Sequence, residues 1–330
     1  MPIVSVIVLN WNGKHLLERC LPSVLGQDYG DYEVVLFDNG STDGSTDWVS
    51  AHFPAVRVLG TDENVGFSRG NNQAIRATES PFVVLLNNDA DPAANWLGDL
   101  IAAATSDPSV GMCASKMVRA DDPTVMDTCG IEVDQAGIGW DRYSGEPERA
   151  EETEPYEIFG PCGGAALYRR EMLDQVGLLD EDYFIYYEDI DLAWRAQRAG
   201  WRCLYVPSAR VVHRHSGTVG ERSPFKQYLL GRNKLWTIVK NYAWPGWLLH
   251  LPSIIVYDTG AWLYALLRGD IHPLRGRLAA LGQLGRVLRK RRSIQASGRP
   301  PALVPIKNPI RMLRTHRWRH RASHSQVEGA

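Results

Sequence analysis

The 330-residue sequence has few cysteines, and their arrangement is unlike that of disulfide-rich or zinc-binding proteins. They are odd in number and widely spaced, and no Cys-x-x-Cys pair occurs. This pattern argues against a disulfide scaffold and against a zinc site, and it favours a reducing cytosol. The cysteines are Cys20, Cys113, Cys129, Cys162 and Cys203.

The sequence also has no leader-like N-terminus. The first apolar run, residues 3–9, is short and has no basic segment before it. A secretory signal needs a longer apolar stretch that follows positive charge. We therefore interpret this run as a buried strand of a parallel sheet, because such strands are apolar on both faces.

Two glycine-rich nucleotide motifs are missing. A dinucleotide-binding chain carries Gly-x-Gly-x-x-Gly directly after its first strand, but here Asn-Trp-Asn-Gly-Lys follows at residues 10–14. The Gly-x-x-x-x-Gly-Lys-[Ser/Thr] loop of P-loop enzymes does not occur either. A sugar nucleotidyltransferase would need a longer basic glycine-rich loop near the N-terminus, so that class remains a distant alternative.

The small net charge of −2 hides an uneven distribution. Residues 268–330 carry 15 Arg and Lys against two acidic residues, so the first 267 residues carry −15. A basic segment seeks an anionic surface, either lipid or nucleic acid. Since Trp318 is its one aromatic residue, stacking on bases has little support. We expect an anionic membrane surface and no nucleic acid.

Short apolar runs alternate with helix-like segments in the first hundred residues. This alternation predicts an α/β fold with a parallel sheet covered on both faces, and ligands in such sheets bind at the carboxyl ends of the strands. Polar residues cluster at those ends, at 10–12, 38–40 and 87–91. The predicted strands are 3–9, 33–37, 56–59 and 82–86, and the predicted helices are 14–25, 67–78 and 93–105.

The second half of the chain predicts a different organisation. Residues 203–206 and 209–212 have the pattern of two short strands, and 188–199 has helical spacing. The 24 residues 244–267 are apolar but contain Pro252 and Asp258. These two residues favour a segment that lies in the membrane interface or re-enters it, with a span as the alternative. We therefore divide the chain into a catalytic domain (1–222), an apolar helical membrane-associating region (223–267) and a basic, partly disordered tail (268–330).

Two carboxylates, Asp89 and Asp91, follow the strand at 82–86. A pair of acidic residues one position apart can hold Mg²⁺ or Mn²⁺ and leave positions open for phosphate oxygens. The residue before Pro92 also suits the start of a helix, so Asp91 could serve only as an N-cap. A third ligand could come from His213, with His215 as a rival.

Two further segments suit nucleotide binding. Asp38 ends the second predicted strand, where its carboxylate could accept a hydrogen bond from the imide N–H of uracil or thymine. Turn residues surround it, so a turn is the alternative. Residues 63–72, Glu-Asn-Val-Gly-Phe-Ser-Arg-Gly-Asn-Asn, combine glycines that permit close backbone approach with a helix N-terminus. A capped helix alone would also explain them.

Acidic residues also begin the predicted helix at 188–199. The helix dipole explains acids at this position, and it suffices for Asp191. One carboxylate, Asp189, could instead act as the general base that takes the proton of an acceptor hydroxyl. Glu188 could orient Asp189 or contact the acceptor.

In this order the motifs resemble the family 2 glycosyltransferases with the GT-A fold, and within them a bacterial rhamnosyltransferase-like subgroup. The resemblance covers about residues 1–240 and implies a mixed, mainly parallel sheet flanked by helices, with a C-terminal helical extension. The motifs are VSVIVLNWN at 4–12, FDNGSTDGS at 37–45, ENVGFSRGNN at 63–72, LLNNDAD at 85–91, CGGAALYRR at 162–170 and YFIYYEDIDLAWR at 183–195.

The resemblance implies roles for individual residues. Asp189 matches the catalytic base, and Asp91 and His213 match positions that bind Mn²⁺ or Mg²⁺. Gly163, Gly164 and Glu188 match the acceptor side. The donor side is matched by Asn10, Asp38, Asn64, Gly66, Asn71 and Asp89.

The resemblance also implies the reaction and its place. A nucleotide-diphosphate sugar, dTDP-rhamnose or a UDP-sugar, would donate to a glycan or lipid-linked acceptor with inversion, in cell-surface polysaccharide synthesis. The enzyme would be cytoplasmic and peripheral on the inner face of the cell membrane. The alternative is a non-catalytic, membrane-docked protein that binds sugar nucleotides.

Overall fold

Apolar runs in the N-terminal half form strands that are buried on both faces of one sheet. The computed structural model describes residues 1–214 and 223–296. The strands are β1 (Val4–Asn10), β2 (Tyr32–Asn39), β3 (Arg57–Thr61), β4 (Phe82–Asn87), β5 (Ala90–Pro92), β6 (Val110–Arg119), β7 (Met126–Thr128), β8 (Ile131–Val133), β9 (Gly139–Asp141), β10 (Tyr156–Ile158), β11 (Ala165–Arg169) and β12 (Arg202–His213).

Helices cover the sheet and continue beyond it. They are α1 (Lys14–Leu25), α2 (Ser45–His52), α3 (Phe67–Arg76), α4 (Trp96–Thr105), α5 (Arg170–Val176), α6 (Glu188–Arg198), α7 (Pro224–Asn241), α8 (Trp244–Leu267), α9 (His272–Gly282) and α10 (Leu284–Ala296). The GT-A-type α/β architecture expected from the sequence is confirmed.

The strand order is β10-β12-β6-β11-β4-β1-β2-β3. β1 pairs in parallel with β2 and β4, and β2 with β3, whereas β11 runs antiparallel between β4 and β6. Successive side chains of a strand point to opposite faces. In β1, Ile7 therefore joins one buried cluster, and Val6 and Val8 join the other. This two-sided burial explains the uninterrupted apolar run.

The structure differs from the sequence prediction along β12 and at Asp91. The two short strands expected at 203–206 and 209–212 are one strand, β12, with a register shift between Val206 and Arg210. Pro207 lies in the shift and has no N–H for the ladder. Asp91 is not a helix cap, because α4 begins only at Trp96 and Asp91 lies in β5, paired with β12.

Helices α7 to α10 follow the sheet domain. In α8, Asp258 accepts hydrogen bonds from Lys234 of α7 at 2.9 Å and from Arg277 of α9 at 2.8 Å. Residues 268–296, which the sequence assigned to a basic tail, are largely helical, and Arg291 of α10 donates to the carbonyl of Val239 of α7 at 2.8 Å. In residues 1–214 and 223–296, no helix is both long and apolar enough to cross a bilayer. Three predicted features lie outside the described residues: the boundary at 222, His215 and the tail beyond 296. The domain division therefore stays a prediction.

Candidate active site

The carboxyl ends of β2, β1 and β4 meet at the wholly buried side chain of Asn10. Its Nδ2 donates to Oδ1 of Asp38 at 3.0 Å, and its Oδ1 accepts from Nδ2 of Asn88 at 2.8 Å. Asp38 also accepts from the backbone N–H of Ser41 at 2.8 Å. Asn10 thus links three strand ends and fixes the carboxylate of Asp38, and its predicted contact with a donor stays a prediction.

A cleft of about 460 Å³ opens beside Asp38, at the carboxyl ends of β2 and β3. Gly60 lets the two strands approach, because a Cβ there would lie 2.7 Å from the carbonyl oxygen of Asp38. Its size and polar rim suit a nucleoside. The lining residues are Asp38, Gly40, Ser41, Thr46, Val58, Leu59, Gly60, Thr61 and Asp62.

The glycine-rich segment before α3 contacts its own backbone, the end of β2 and the turn before α6. Oδ1 of Asn64 accepts from the N–H of Gly66 at 2.9 Å. Gly66 has a φ of 89°, and a Cβ there would lie 2.5 Å from the ring of Phe184, so only glycine fits. Asn71 is buried and donates to the carbonyl of Phe67 at 3.0 Å. Donor binding by Asn64, Gly66 and Asn71 stays a prediction.

Asp89, and not Asp91, meets the imidazole of His213. Nε2 of His213 lies 3.1 Å from Oδ1 of Asp89, and Nδ1 lies 2.7 Å from Oδ2 of Asp127. Burial alone would lower the pKa of His213, but the hydrogen bonds with Asp127 and Asp89 raise it to about 10. The structure therefore places a strongly basic imidazole between two buried carboxylates.

Asp91 lies next to this group but has different partners. Its Oδ2 forms an ion pair with Arg214 at 2.6 Å, whereas its Oδ1 is buried and has no hydrogen-bond partner among the described residues. A buried carboxylate oxygen without a partner is costly unless something else binds it.

The residues present fit a hard divalent cation, although the described residues contain no ready-made metal cluster. In the part of the chain that the structure describes, no group of three or more His, Cys, Asp or Glu side chains is already arranged to hold a metal. The oxygens of Asp89 and Asp91 are nevertheless the donors that Mn²⁺ and Mg²⁺ prefer, and imidazole is a common further ligand. The unpartnered Oδ1 of Asp91 has the chemistry such an ion would satisfy.

Asp189 and Glu188 begin α6 side by side. Oδ2 of Asp189 accepts from the N–H of Gly163 at 3.2 Å, and Oδ1 from the N–H of Ile190 at 2.7 Å. Burial raises the pKa of Asp189. Burial, and then the charge of Asp189, raises the pKa of Glu188 well above its ordinary value. The two neighbouring carboxyls therefore suit different roles, and Asp189 is the stronger candidate base.

Gly163 and Gly164 connect this base to the sheet edge. A Cβ on Gly163 would lie 3.8 Å from Cβ of Asp189, and one on Gly164 would lie 3.1 Å from Nδ2 of Asn87. The carbonyl of Gly164 also accepts from the N–H of Asn87 at 2.9 Å. The two glycines thus lie between the end of β4 and the carboxylate of Asp189. Side chains at these positions would crowd Asn87 and Asp189.

A strained turn precedes the two acids. In the described chain, three of the five non-glycine residues with positive φ are Phe184, Tyr186 and Tyr187. Phe184 has a φ of 68° and a ψ of −63°, and the N–H of Ile185 donates to the carbonyl of Tyr183 at 2.9 Å, which together form a γ-turn. Residues in such regions cost of order 1–3 kcal/mol each and persist only when their surroundings hold them.

Asp191 has a structural role. It is wholly buried, and Arg195 lies 2.9 Å and Lys240 lies 2.8 Å from its carboxylate. The helix-start explanation from the sequence is incomplete, because the ion pair with Lys240 also fixes α6 to α7. Burial alone would raise the pKa of Asp191, but Lys240 and Arg195 lower it.

Sequence reasoning missed Asp127, Asp62 and the positioning role of Asn10. Nothing local distinguishes Asp127, which lies in the short strand β7 and meets His213 across 86 positions. Asp62 lines the cleft beside Asp38, and its place three residues after the predicted strand 56–59 could have indicated it.

Comparison with known proteins decides the family. The model described as "Glycosyl transferase family 2" matches residues 5–177, and "Glycosyl transferase family group 2" matches 152–282. This chain belongs to glycosyl transferase family 2. It is 30% identical over 241 residues to the N-acetylglucosaminyl-diphospho-decaprenol L-rhamnosyltransferase of Mycobacterium tuberculosis, covering 66% of this chain and 78% of that one.

Solved structures of other glycosyltransferases share the fold of this family 2 enzyme. GalNAc-T7 with UDP, GalNAc and Mn²⁺ matches with a TM-score of 0.61 at 19% identity, over 91% of this chain and 58% of that one. The mannosyltransferase PcManGT from Pyrobaculum calidifontis, in complex with GDP-Man and Mn²⁺, matches with a TM-score of 0.53 at 21% identity, over 90% and 86%.

Proposed function

We propose that this family 2 glycosyltransferase moves a sugar, with rhamnose favoured, from a nucleotide diphosphate to a hydroxyl of a glycan or lipid-linked acceptor. The observation that carries the proposal is a series of contacts from Asp38 to Asp189 at the carboxyl ends of the strands, linked through the adjacent residues 87–88 and 163–164. The contacts are Asp38 with Asn10, Asn10 with Asn88, Asn87 with Gly164, and Gly163 with Asp189.

The donor would lie along this edge with its nucleoside in the cleft beside Asp38. The fixed carboxylate of Asp38 suits the imide N–H of uracil or thymine, which accords with a dTDP- or UDP-sugar. Asp89, Asp91 and His213 would hold Mn²⁺ or Mg²⁺, with Asp127 behind the imidazole. When bound, such an ion neutralises negative charge that grows on the departing diphosphate.

Asp189 would supply the base. It takes the proton of the acceptor hydroxyl, whose oxygen then forms a bond to the anomeric carbon while the bond from that carbon to the diphosphate breaks. Glu188 beside it would contact the acceptor. A single displacement of this kind inverts the anomeric configuration.

Two likenesses support this assignment. The relative from M. tuberculosis is named as a rhamnosyltransferase acting on a sugar joined through diphosphate to decaprenol, which suits a rhamnose donor, a lipid-linked acceptor and cell-surface polysaccharide synthesis. Both matched structures hold Mn²⁺ with UDP or GDP-Man, which suits a metal-dependent reaction.

The C-terminal helices would bring the enzyme to an anionic membrane on its cytoplasmic side. Leu249 and Val256 of α8 are 72% and 74% exposed, and they lie seven residues apart on one helix face. Exposed apolar side chains in such a row bind lipid interfaces, and neighbouring cations add attraction to anionic headgroups. Arg268, directly after α8, and Arg275 of α9 supply exposed positive charge.

A thermal-unfolding screen of nucleotide sugars, each with and without Mn²⁺, tests the proposal. A donor that binds the folded chain raises its unfolding temperature. We expect dTDP-rhamnose plus Mn²⁺ to raise the unfolding temperature most, and we expect no rise in Asp38→Ala. The control is Asp47→Ala, which alters an exposed aspartate of α2 and should show the same rise as the wild type. A chain that no nucleotide sugar stabilises, with or without metal, would contradict the proposal.

A further inference from the structure

The segment that carries the catalytic base, residues 180–191, packs along one face of α7. Its contacts recur about every seven or eight residues of the helix, which is two turns. At the start of α7, the rings of Phe225 and Phe184 lie 5.7 Å apart, and Lys226 lies 5.4 Å from the ring of Tyr186. Two turns on, Arg232 donates to the carbonyls of Asp182 and Tyr183, and Asn233 donates to three carbonyls. Near the end of α7, Lys240 and Asn241 bind Asp191.

Asn233 is the residue of α7 that meets the strained turn most directly. Its Nδ2 donates to the carbonyl oxygens of Tyr183 at 3.0 Å, Ile185 at 2.9 Å and Tyr186 at 2.8 Å. The side chain is wholly buried, and its Oδ1 accepts from Nε of Arg232 at 2.9 Å. A carboxylate or a hydrocarbon at this position could not donate to these carbonyls, so the turn requires a hydrogen-bond donor here.

This turn fixes where the base begins. Tyr187 has a φ of 72° and immediately precedes Glu188, where α6 starts, so the shape of the turn sets the position of Asp189. The turn also contacts the predicted donor side, because the ring of Phe184 packs on Gly66 and its carbonyl accepts from the N–H of Ser68 at 3.1 Å. One turn therefore joins the base to the segment before α3.

We infer that Asn233 is a positioning residue for catalysis, whose amide holds the turn 183–187 in the conformation that aims Asp189 at the acceptor hydroxyl. The inference rests on the proposed function, since it takes Asp189 as the base. It gives the C-terminal helical region a catalytic task in addition to any role at a membrane.

Amide hydrogen exchange and steady-state kinetics of Asn233→Ala test this role. We expect faster exchange at residues 184–190 in the substrate-free protein, and a fall in kcat of roughly 10- to 100-fold with little change in the donor KM, since a misplaced catalytic group costs about this much. Asn233→Ser keeps one hydrogen-bond donor, so its exchange rate at 184–190 and its kcat should lie between those of the wild type and of Asn233→Ala. It also serves if the alanine variant does not fold.

Gln197→Ala is the matched control. Gln197 is a buried amide of α6 that donates to the carbonyls of Phe159 at 2.6 Å and Ile158 at 3.4 Å, eight residues beyond the base. Its loss should lower stability without changing exchange at 184–190 or kcat. Unchanged exchange at 184–190 in both Asn233 variants would overturn the inference, as would faster exchange with kcat equal to that of Gln197→Ala. Asp189→Asn in the otherwise unchanged chain tests the base assignment separately.

Discussion

The imidazole Nδ1 of His213 lies 2.7 Å from Oδ2 of Asp127, and both side chains are buried. This pair orients the other ring nitrogen towards Asp89. Partners of this kind fix the ring of a metal-binding histidine and raise its basicity.

Asp127→Ala should therefore weaken the response to Mn²⁺. Loss of the partner behind a metal-binding histidine typically costs 10- to 100-fold in metal affinity, so we expect half-maximal activity at a Mn²⁺ concentration raised by about this factor. A Mn²⁺ titration of donor turnover measures it. The control is Asp121→Ala, a surface aspartate paired with Arg119, and an unchanged Mn²⁺ requirement in Asp127→Ala would contradict the assignment.

The pH dependence of turnover should reflect the raised pKa of Asp189. A base acts only when deprotonated, and burial raises the pKa of this carboxyl. Activity should therefore be full at higher pH and fall as the pH drops through a value above that of an ordinary aspartate. The measurement is kcat against pH at saturating donor and Mn²⁺, and an acid limb at or below the ordinary aspartate value would argue against Asp189 as the base.

Lys240→Met should strongly destabilise the fold. Nζ of Lys240 is buried 2.5 Å from Oδ2 of Asp180 and 2.8 Å from Oδ1 of Asp191. Removing one partner of a buried ion pair costs about 3–5 kcal/mol, because the remaining charge stays buried. Urea unfolding measures the change against Arg292→Met, an exposed cation of α10. A loss no larger than that of the control would show that the network does not hold α6 to α7.

The same network should make the fold sensitive to acid. Burial alone would raise the pKa of Asp180, but Lys240 and Lys290 lower it well below the ordinary value. A carboxyl with a lowered folded-state pKa contributes stability that is present above its unfolded pKa of about 3.9 and is lost as the pH falls below it. The free energy of unfolding of the wild type should thus decline in that range, and it should decline less in Lys240→Met. An equal decline in both proteins would contradict this explanation.

The strand ends were predictable from the sequence because they follow local patterns. Apolar runs followed by Asp38 or by Asp89 and Asp91 indicate strands that end at a polar edge, and the helix after Asp189 has ordinary spacing. The contacts of Asp127 and Asn233 were not predictable, since each joins elements dozens of residues apart.

The turn before α6 shows a second limit of sequence reasoning. Aromatic residues such as Phe184 and Tyr187 disfavour positive φ, so local preference argues against the conformation that the structure has. Contacts from α7 override that preference. The single strand β12 is a similar case, since Pro207 indicates a break, yet pairing with β6 resumes at Arg210.

Replacing the exposed apolar face of α8 should reduce membrane binding. Leu249→Ser combined with Val256→Ser removes two largely exposed apolar side chains from the face proposed to contact lipid. We expect the wild type, but much less of the variant, to float with vesicles that contain anionic lipid. The control is Ile3→Ser, which alters an exposed apolar residue before β1. Equal flotation of all three proteins would contradict this surface assignment.

The most direct test of the account is Asp189→Asn, measured as transfer or hydrolysis of the nucleotide sugar that the binding screen identifies, with Mn²⁺ present. We expect kcat to fall by roughly 10²- to 10⁴-fold, the usual contribution of a general base, while donor affinity stays close to that of the wild type and of Asp174→Asn, an exposed control on α5. The account would be contradicted if Asp189→Asn kept full turnover, or if it lost donor binding and not only turnover.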